Sequence, residues 1–450
     1  MMELNRRTLI GAGAALAATL PLGEAMAKGR RGARFPKGFL WGAATAGHQI
    51  EGNNVNSDIW LAENVKPTFF AEPSGDAANS FALWPQDLDL VKAMGLNSYR
   101  FSIEWARIEP EPGMFSIAML DHYKAMIEGC AKRGLVSMVT FSHWSTPRWF
   151  AARGGWANPE APDLFANFCD KAARHLAAGI GYAVTLNEPN LLVGSFEAPR
   201  PERVQQLLAA TMAAAAKASG SDRFAMGLIG IKDLGQYTEH LIAAHKKGKA
   251  AIKAVRGALP VGVTMAIPDD QEAGPGSLRD RFRQEVYVPW LEVARADDFL
   301  GVQNYDRQLW DAKGKAKPPE GDSRSTDDAL VYNASGGIVY PDSLANSVRY
   351  AYSLAKVPIF VTEHGVNTAD DRIRANLIPA ALGELKKAMD EGIPVMGYLH
   401  WSLLDNFEWV SGYKHQYGLI AVDRSNFKRT PKPSASVLAA IARANALPAG

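Results

Sequence analysis

The 450-residue chain holds only two cysteines, Cys130 and Cys169. That scarcity excludes a disulfide scaffold. Both cysteines fall in helical patterns, and nothing in their spacing brings them together, so buried free thiols are expected. The nine histidines are scattered, and no Cys-x-x-Cys or His-x-x-x-His pair occurs. A metal site therefore has no ligand pattern behind it, and no cofactor is expected. The net charge is only +2, which speaks against nucleic acid or an acidic membrane surface as a partner. No Gly-x-Gly-x-x-Gly turn follows the first apolar strand pattern, which argues against an open, doubly wound dinucleotide-binding sheet. Beyond residue 27 no run has the length and apolarity of a membrane helix.

What is present begins with residues 1–27. Arg6-Arg7 precede an apolar, Ala-rich stretch from Leu9 to Leu22, and Ala25-Met26-Ala27 forms a small-x-small cleavage site. The pattern reads as a signal peptide of the twin-arginine type. Export to the periplasm or the medium is expected, with the twin-arginine machinery as a transient partner and residues 28–450 as the mature domain. The stretch is short for a membrane span, so no stable insertion is expected after cleavage. Cleavage removes two acids (Glu3, Glu24) and two bases (Arg6, Arg7), which leaves the net charge at +2. The basic cluster Lys28, Arg30, Arg31, Arg34, Lys37 reads as an exposed terminal arm.

The composition, 47% hydrophobic and 21% charged, is that of a globular chain with a sizeable core. Strands are expected near Leu40–Thr45, Ser98–Ile103, Ser137–Phe141, Ala183–Asn187, Val261–Ala266, Phe299–Tyr305, Ile359–Thr362 and Val395–Trp401. Helical patterns alternate with them, among them Trp84–Met94, Ala118–Arg133, Ala161–Ala178, Tyr237–Val255 and Arg374–Asp390. Strand alternating with helix predicts a parallel sheet, and roughly eight such units in one chain predict a single closed (β/α)8 TIM barrel. Two connections are long. Leu191 to about Gly235 carries a helical pattern at Val204–Ala218, and Asp306 to about Pro341 is polar. Both are expected on the carboxyl-end face, where loops shape a substrate mouth.

Two glutamates end apolar, β-branched runs. Glu188 stands in Thr185-Leu186-Asn187-Glu188-Pro189-Asn190, and Glu363 in Val361-Thr362-Glu363-His364-Gly365. Each is followed within two residues by Pro or Gly, so each is expected at the rim of a sheet. Two rim carboxylates on different strands are the minimum equipment for splitting a glycosidic bond. Other strand ends carry Gln49, His143, Asn187, Tyr305, Trp401, Glu408 and Trp409. Amides and carboxylates pair with vicinal hydroxyls, and tryptophans offer flat faces to the C–H side of a sugar ring. Arg100 lies mid-run among apolar neighbours and needs an anion, for which Glu363 is the natural candidate. Taken singly, each residue has a plainer role as a cap, core filler or surface group. Their co-occurrence at strand ends is what carries weight.

The chain resembles glycoside hydrolase family 1, the β-glucosidase family, from Phe35 to about Ser434. The resemblance lies in Phe35-Pro36-x-x-Phe39-x-Trp41-Gly42-x-Ala44-Thr45-Ala46, Gln49-x-Glu51-Gly52, Tyr99-Arg100-Phe101-Ser102-Ile103-x-Trp105-x-Arg107-Ile108 and His143-Trp144. It continues in Thr185-Leu186-Asn187-Glu188-Pro189, Thr362-Glu363 and the run Trp401 to Trp409. The resemblance implies a TIM barrel, retaining chemistry and β-linked glucosides, with galactosides and fucosides as further glycones. It implies Glu188 as acid/base and Glu363 as nucleophile, with Arg100 and Tyr305 contacting the nucleophile. It also implies Asn187 at the sugar 2-hydroxyl, Gln49, His143 and Glu408 at the other glycone hydroxyls, and Trp401 and Trp409 as ring contacts. The chain departs from the family pattern at His364 (usually Asn), at Gln303-Asn304-Tyr305 (usually Asn-Tyr-Tyr) and at Gln416-Tyr417 (usually Arg-Phe). Two other functions share these features: a transglycosylating β-glucosidase, and a non-catalytic periplasmic sugar-binding protein.

Overall fold

The structure is a computed structural model and describes residues 33–192, 201–227, 234–316 and 331–448. The signal-peptide reading therefore lies outside the described residues, as do Lys28, Arg30 and Arg31 of the basic arm. The side chains of Arg34 and Lys37 are exposed, but the backbone there is not a free arm: Arg34 bridges Ala446, and the Phe35 N–H donates to the Asn445 carbonyl at 3.0 Å.

All eight expected strands are present, with ends shifted by at most two residues. They are β1 (Leu40–Ala44), β2 (Ser98–Ser102), β3 (Val136–Ser142), β4 (Tyr182–Asn187), β5 (Val261–Ala266), β6 (Phe299–Asn304), β7 (Ile359–His364) and β8 (Val395–Trp401). Each pairs in parallel with its neighbours in chain order, and β8 pairs with β1, so the barrel closes and no edge is left. Closure explains why these strands read as continuous apolar runs: one face fills the barrel and the other lies under helices. Inside, Met138, Val184, Phe299, Phe360 and Leu399 form one apolar cluster. Outside, the helix Ala161–Leu176 buries Phe165, Phe168, Cys169, Ala172, Ala173 and Leu176, a stripe at three- and four-residue spacing. Cys130 and Cys169 are free and buried.

Differences from expectation have local causes. The helix expected from Trp84 begins at Ser80 and runs through Pro85. Proline lacks an N–H and suggests a boundary, but here the helix continues past it. The helix Asp342–Ala355 buries Leu344, Ala345, Val348, Ala351 and Ala355 in one stripe, with Ser343 and Ser347 on the same face. The segment after β6, expected as a long polar connection, carries the strands Arg307–Asp311 and Gly314–Ala316. These join Asp269–Glu272 in a three-stranded side sheet beside the barrel mouth. The helix expected at Val204–Ala218 is present as Glu202–Ser219.

Candidate active site

Two ladder irregularities decide which side chains enter the barrel. The β4–β5 register shifts between Val184 and Asn187, and the β6–β7 register shifts between Val361 and Glu363. Strict alternation puts residues three apart on opposite faces. Here Val184 and Phe360 line the barrel interior, and so do Asn187 and Glu363, three residues further on, which both bond to Arg100. An extra residue in each strand reverses its parity at the last step. Both strands that carry a candidate catalytic glutamate are built this way.

Arg100, on β2, is fully buried beneath the mouth. Its guanidinium donates to Glu363 Oε1 at 2.5 Å and Asn187 Oδ1 at 2.6 Å, and its Nε donates to Thr140 Oγ1 at 3.2 Å. Tyr305 donates its hydroxyl to Glu363 Oε2 at 2.5 Å. Gln303 Nε2 donates to Glu363 Oε1 at 2.9 Å and to Asn187 Oδ1 at 2.8 Å. Glu363 is thus held at both oxygens by a cation, a phenol and an amide. Glu188 has far less support: the Asn187 amide reaches its Oε2 at 3.4 Å.

The two carboxyls line one cavity of about 250 Å³ with His143, Trp144, Tyr305, Trp401, Glu408, Trp409 and Tyr417. That volume lies just under the range of roughly 300–1,000 Å³ typical of drug-sized pockets and suits a small polar ring. Burial raises the pKa of both glutamates. At Glu363 the Arg100 charge and the Tyr305 bond work against the rise. At Glu188 the repulsion of Glu363 and Glu408 adds to burial and pushes it well above the usual carboxylate range. The pair is therefore asymmetric: Glu363 keeps the charge and Glu188 keeps the proton.

Backbone strain gathers at the same wall. Glu188, Trp144 and Trp409 have φ of +45°, +71° and +54°, a region that side chains other than glycine seldom adopt. Such residues cost on the order of 1–3 kcal/mol each and persist where their surroundings fix them. Here Trp144 Nε1 donates to the Asn187 carbonyl at 3.1 Å, and the Glu188 N–H donates to the Thr264 carbonyl at 2.9 Å. At Gly365, just past Glu363, a Cβ would come within 2.1 Å of the Trp401 carbonyl oxygen, so only glycine lets β7 leave the barrel against β8.

Four rings of the site stack nearly parallel, and Trp144 is tilted at 46° to Trp409. His143 lies 5.7 Å from Trp401 at 21° and 6.1 Å from Trp409 at 17°, and His48 backs Trp409 at 5.7 Å and 7°. Burial and the nearby Arg100 charge keep His143 neutral, and its Nε2 faces the Asn187 amide at 3.1 Å. Trp401 Nε1 reaches Glu408 Oε1 at 3.4 Å. Of the residues expected at the site, Glu188, Glu363, Tyr305, His143, Trp401, Glu408 and Trp409 line the cavity, and Arg100 and Asn187 support it from below. Gln49 stands behind the wall, its amide donating to Asn406 Oδ1 at 3.0 Å and to the Phe407 carbonyl at 2.8 Å.

Gln303, Trp144, Tyr417, Asp306 and Gln308 also belong to the site and carry no role in the sequence reading. Gln303 and Tyr417 stand at two of the family departures, which was the available signal. The third departure, His364, points elsewhere: its Nδ1 pairs with the Tyr398 hydroxyl at 2.8 Å, and burial lowers its pKa to about 3.

The chain matches the family model "Glycosyl hydrolase family 1" over residues 31–200 and 289–447. This chain belongs to glycosyl hydrolase family 1. It is 30% identical over 440 residues to β-glucosidase A of Thermotoga maritima, covering 89% of this chain and 96% of that protein. Among solved structures it resembles a β-glucosidase designated 1317, with TM-score 0.85, 38% identity, and 90% and 98% of the two chains covered. It also resembles the β-glycosidase BGL167, with TM-score 0.84, 43% identity, and 92% and 98% covered. The chain is accordingly a glycoside hydrolase with the family's closed (β/α)8 barrel.

One consequence for this family member concerns stability. Burial, with added repulsion from Glu363 and Asp405, raises the Glu408 pKa from 4.5 to about 8. The folded state thus holds a proton that the unfolded chain releases, so stability must fall as pH rises between those values. Glu51, raised to about 7, adds to the same fall. The melting temperature is expected to drop from about pH 5 to pH 8, and less steeply across that whole range in Glu408→Gln. Thermal melts across that range check it, and parallel curves for the two proteins would count against it.

Proposed function

We propose that this family 1 enzyme is a retaining β-glucosidase that removes terminal non-reducing β-D-glucosyl residues through a covalent glycosyl-enzyme. Glu363 attacks the anomeric carbon while Glu188 passes its proton to the departing oxygen. In the second half, Glu188 takes a proton from water, the water attacks the same carbon, and the Glu363 ester bond breaks. One observation supports the assignment above all: both glutamates line one cavity, yet only Glu363 is gripped by a buried cation and a phenol. Esterification of Glu363 removes the charge that raises Glu188, so the acid of the first half becomes the base of the second. Asn187 is anchored through its Oδ1 by Arg100 and Gln303; its amide nitrogen, which meets His143 Nε2 and Glu188 Oε2, turns to the 2-hydroxyl when a sugar binds. Glu408, neutral below about pH 8, both donates to and accepts from glycone hydroxyls.

A panel of p-nitrophenyl β-D-glucoside, galactoside and fucoside on purified protein tests the reading. The glucoside is expected to turn over, and NMR should show β-glucose as the first-formed sugar. No turnover of any member would leave only a sugar-binding role, and α-glucose as first product would remove the retaining mechanism.

We further infer that residues 1–27 direct export through the twin-arginine route and are then removed. The support is Arg6-Arg7, the Ala-rich stretch and Ala25-Met26-Ala27. Replacing Arg6 and Arg7 together by Lys is expected to hold the protein in the cytoplasm at full length. Cell fractionation with mass spectrometry of the N-terminus decides, and unchanged export of the double variant would sink the inference.

A further inference from the structure

We propose that Asp306 selects the leaving group, favouring a hydroxylated one, a second sugar, over a flat or alkyl apolar one. This rests on the β-glucosidase reading and deepens it. Two groups of residues line the cavity. Trp401, Trp409, Glu408 and His143 are tied to one another by ring stacking and by the Trp401–Glu408 bond. Leu191, Ala266, Pro268, Asp306 and Gln308 come from the carboxyl ends of the adjacent strands β4, β5 and β6 and the segments after them. Glu188 directly follows β4 and so belongs with the second group. The group that protonates the leaving oxygen marks where the leaving group lies.

Asp306 is placed there by a fixed main chain. Its carbonyl accepts from the Asp269 N–H at 3.2 Å and from Asn304 Nδ2 at 3.1 Å. Its carboxylate is packed against Gly337, where a Cβ would come within 2.9 Å of Oδ2. Among the described residues no donor bonds that carboxylate. Burial raises its pKa to about 6, and the Lys315 charge offsets only part of the rise. A carboxylate in a cavity wall without a donor is costly unless the occupant supplies one. Gln308 lies two residues on, at the alternation that gives it the same face, and adds an amide. Leu191 and Pro268 supply apolar surface in the same group. A pyranose matches this combination, because its rim carries hydroxyls and its faces carry C–H groups. A nitrophenyl or alkyl group would cover Asp306 and give it nothing. Sites built to bond a hydroxyl discriminate strongly against analogues that lack it.

The test compares wild type, Asp306→Ala and Asp306→Asn on the four β-linked glucobioses (1,2; 1,3; 1,4; 1,6) and on p-nitrophenyl and hexyl β-glucosides. kcat/KM is the quantity read, since it reports the step in which the leaving group departs. In Asp306→Ala, kcat/KM for the preferred glucobiose is expected to fall about 10–100-fold, with the p-nitrophenyl and hexyl glucosides within about threefold. Asp306→Asn should recover part of the loss, because an amide still bonds hydroxyls. Melting temperatures should stay close to wild type, since no bond within the protein is removed. An equal loss on all substrates, or an unchanged glucobiose rate, overturns the proposal. Wild type that cleaves p-nitrophenyl β-glucoside but no glucobiose overturns it too, and leaves the β-glucosidase reading standing. Wild type inactive on every glucoside defeats that reading instead.

Discussion

Glu363→Gly is expected to lose hydrolysis of β-glucosides by a factor on the order of 10⁴–10⁶, as removal of a covalent nucleophile does elsewhere. The loss should be chemical rather than structural. Arg100, Gln303 and Tyr305 all remain, and the space once filled by the carboxylate is lined by their donors. A small anion can enter that space. Azide should therefore restore cleavage of activated aryl glucosides and attack the anomeric carbon from the side Glu363 occupied. Because the substrate is β-linked, the product of that single inversion is the α-glucosyl azide. NMR of the product reads the stereochemistry directly. A β-azide would mean that the anion entered from the Glu188 side, and the nucleophile assignment would fall. Burial raises Glu188 most, and removing Glu363 removes the repulsion that adds to it. In this variant the acid should therefore deprotonate at lower pH, so azide rescue of glucosides whose leaving group still needs a proton should lose its alkaline tolerance, while rescue of a dinitrophenyl glucoside should not.

Much of this site is legible in the sequence. The eight strands are legible because a closed barrel buries both faces of each strand, which leaves unbroken apolar runs such as Ile359-Phe360-Val361 and Phe299 to Val302. Glu188 and Glu363 stood out because a charged residue ending such a run must sit at a rim or find a partner. Arg100 was recognisable by the same logic: a cation inside an apolar run needs an anion, and it has Glu363 at 2.5 Å. What stayed hidden depends on parity and on long-range packing. The register shifts before Asn187 and Glu363 have no composition signal, yet they turn both residues inward. Gln303 was visible as a departure from the family pattern, but its bridge between Asn187 and Glu363 requires three strands to be placed at once. The side sheet after β6 pairs segments whose polar residues resemble a loop, and Asp306 gains its position only from that pairing. His48, behind Trp409, meets its ring only because the loop after β8 folds back over the turn after β1.

Glu188→Ala is the complementary case, and its expected signature is a split rather than a uniform loss. General acid catalysis contributes typically about 10²–10⁴-fold, and the need for it scales with how poor the leaving group is. For a dinitrophenyl glucoside, whose leaving group departs as an anion, kcat/KM should stay close to wild type. For alkyl glucosides and disaccharides it should fall by the full factor. Deglycosylation needs the base for every substrate, so activated aryl glucosides should show a burst of phenol followed by slow turnover. Added azide needs no base, so it should speed that slow phase and yield the β-glucosyl azide, opposite in configuration to the Glu363→Gly product. The pH profile gives an independent check. In wild type the raised pKa of Glu188 keeps it protonated near neutrality, and activity falls as pH climbs through that value because the acid is lost. With Glu188 gone, that alkaline limb of kcat/KM should vanish while the acid limb, set by protonation of Glu363, stays. Steady-state rates equal to wild type, or an alkaline limb that survives the substitution, would place the proton donor on another residue, with Glu408 the next candidate because it too stays protonated up to about pH 8.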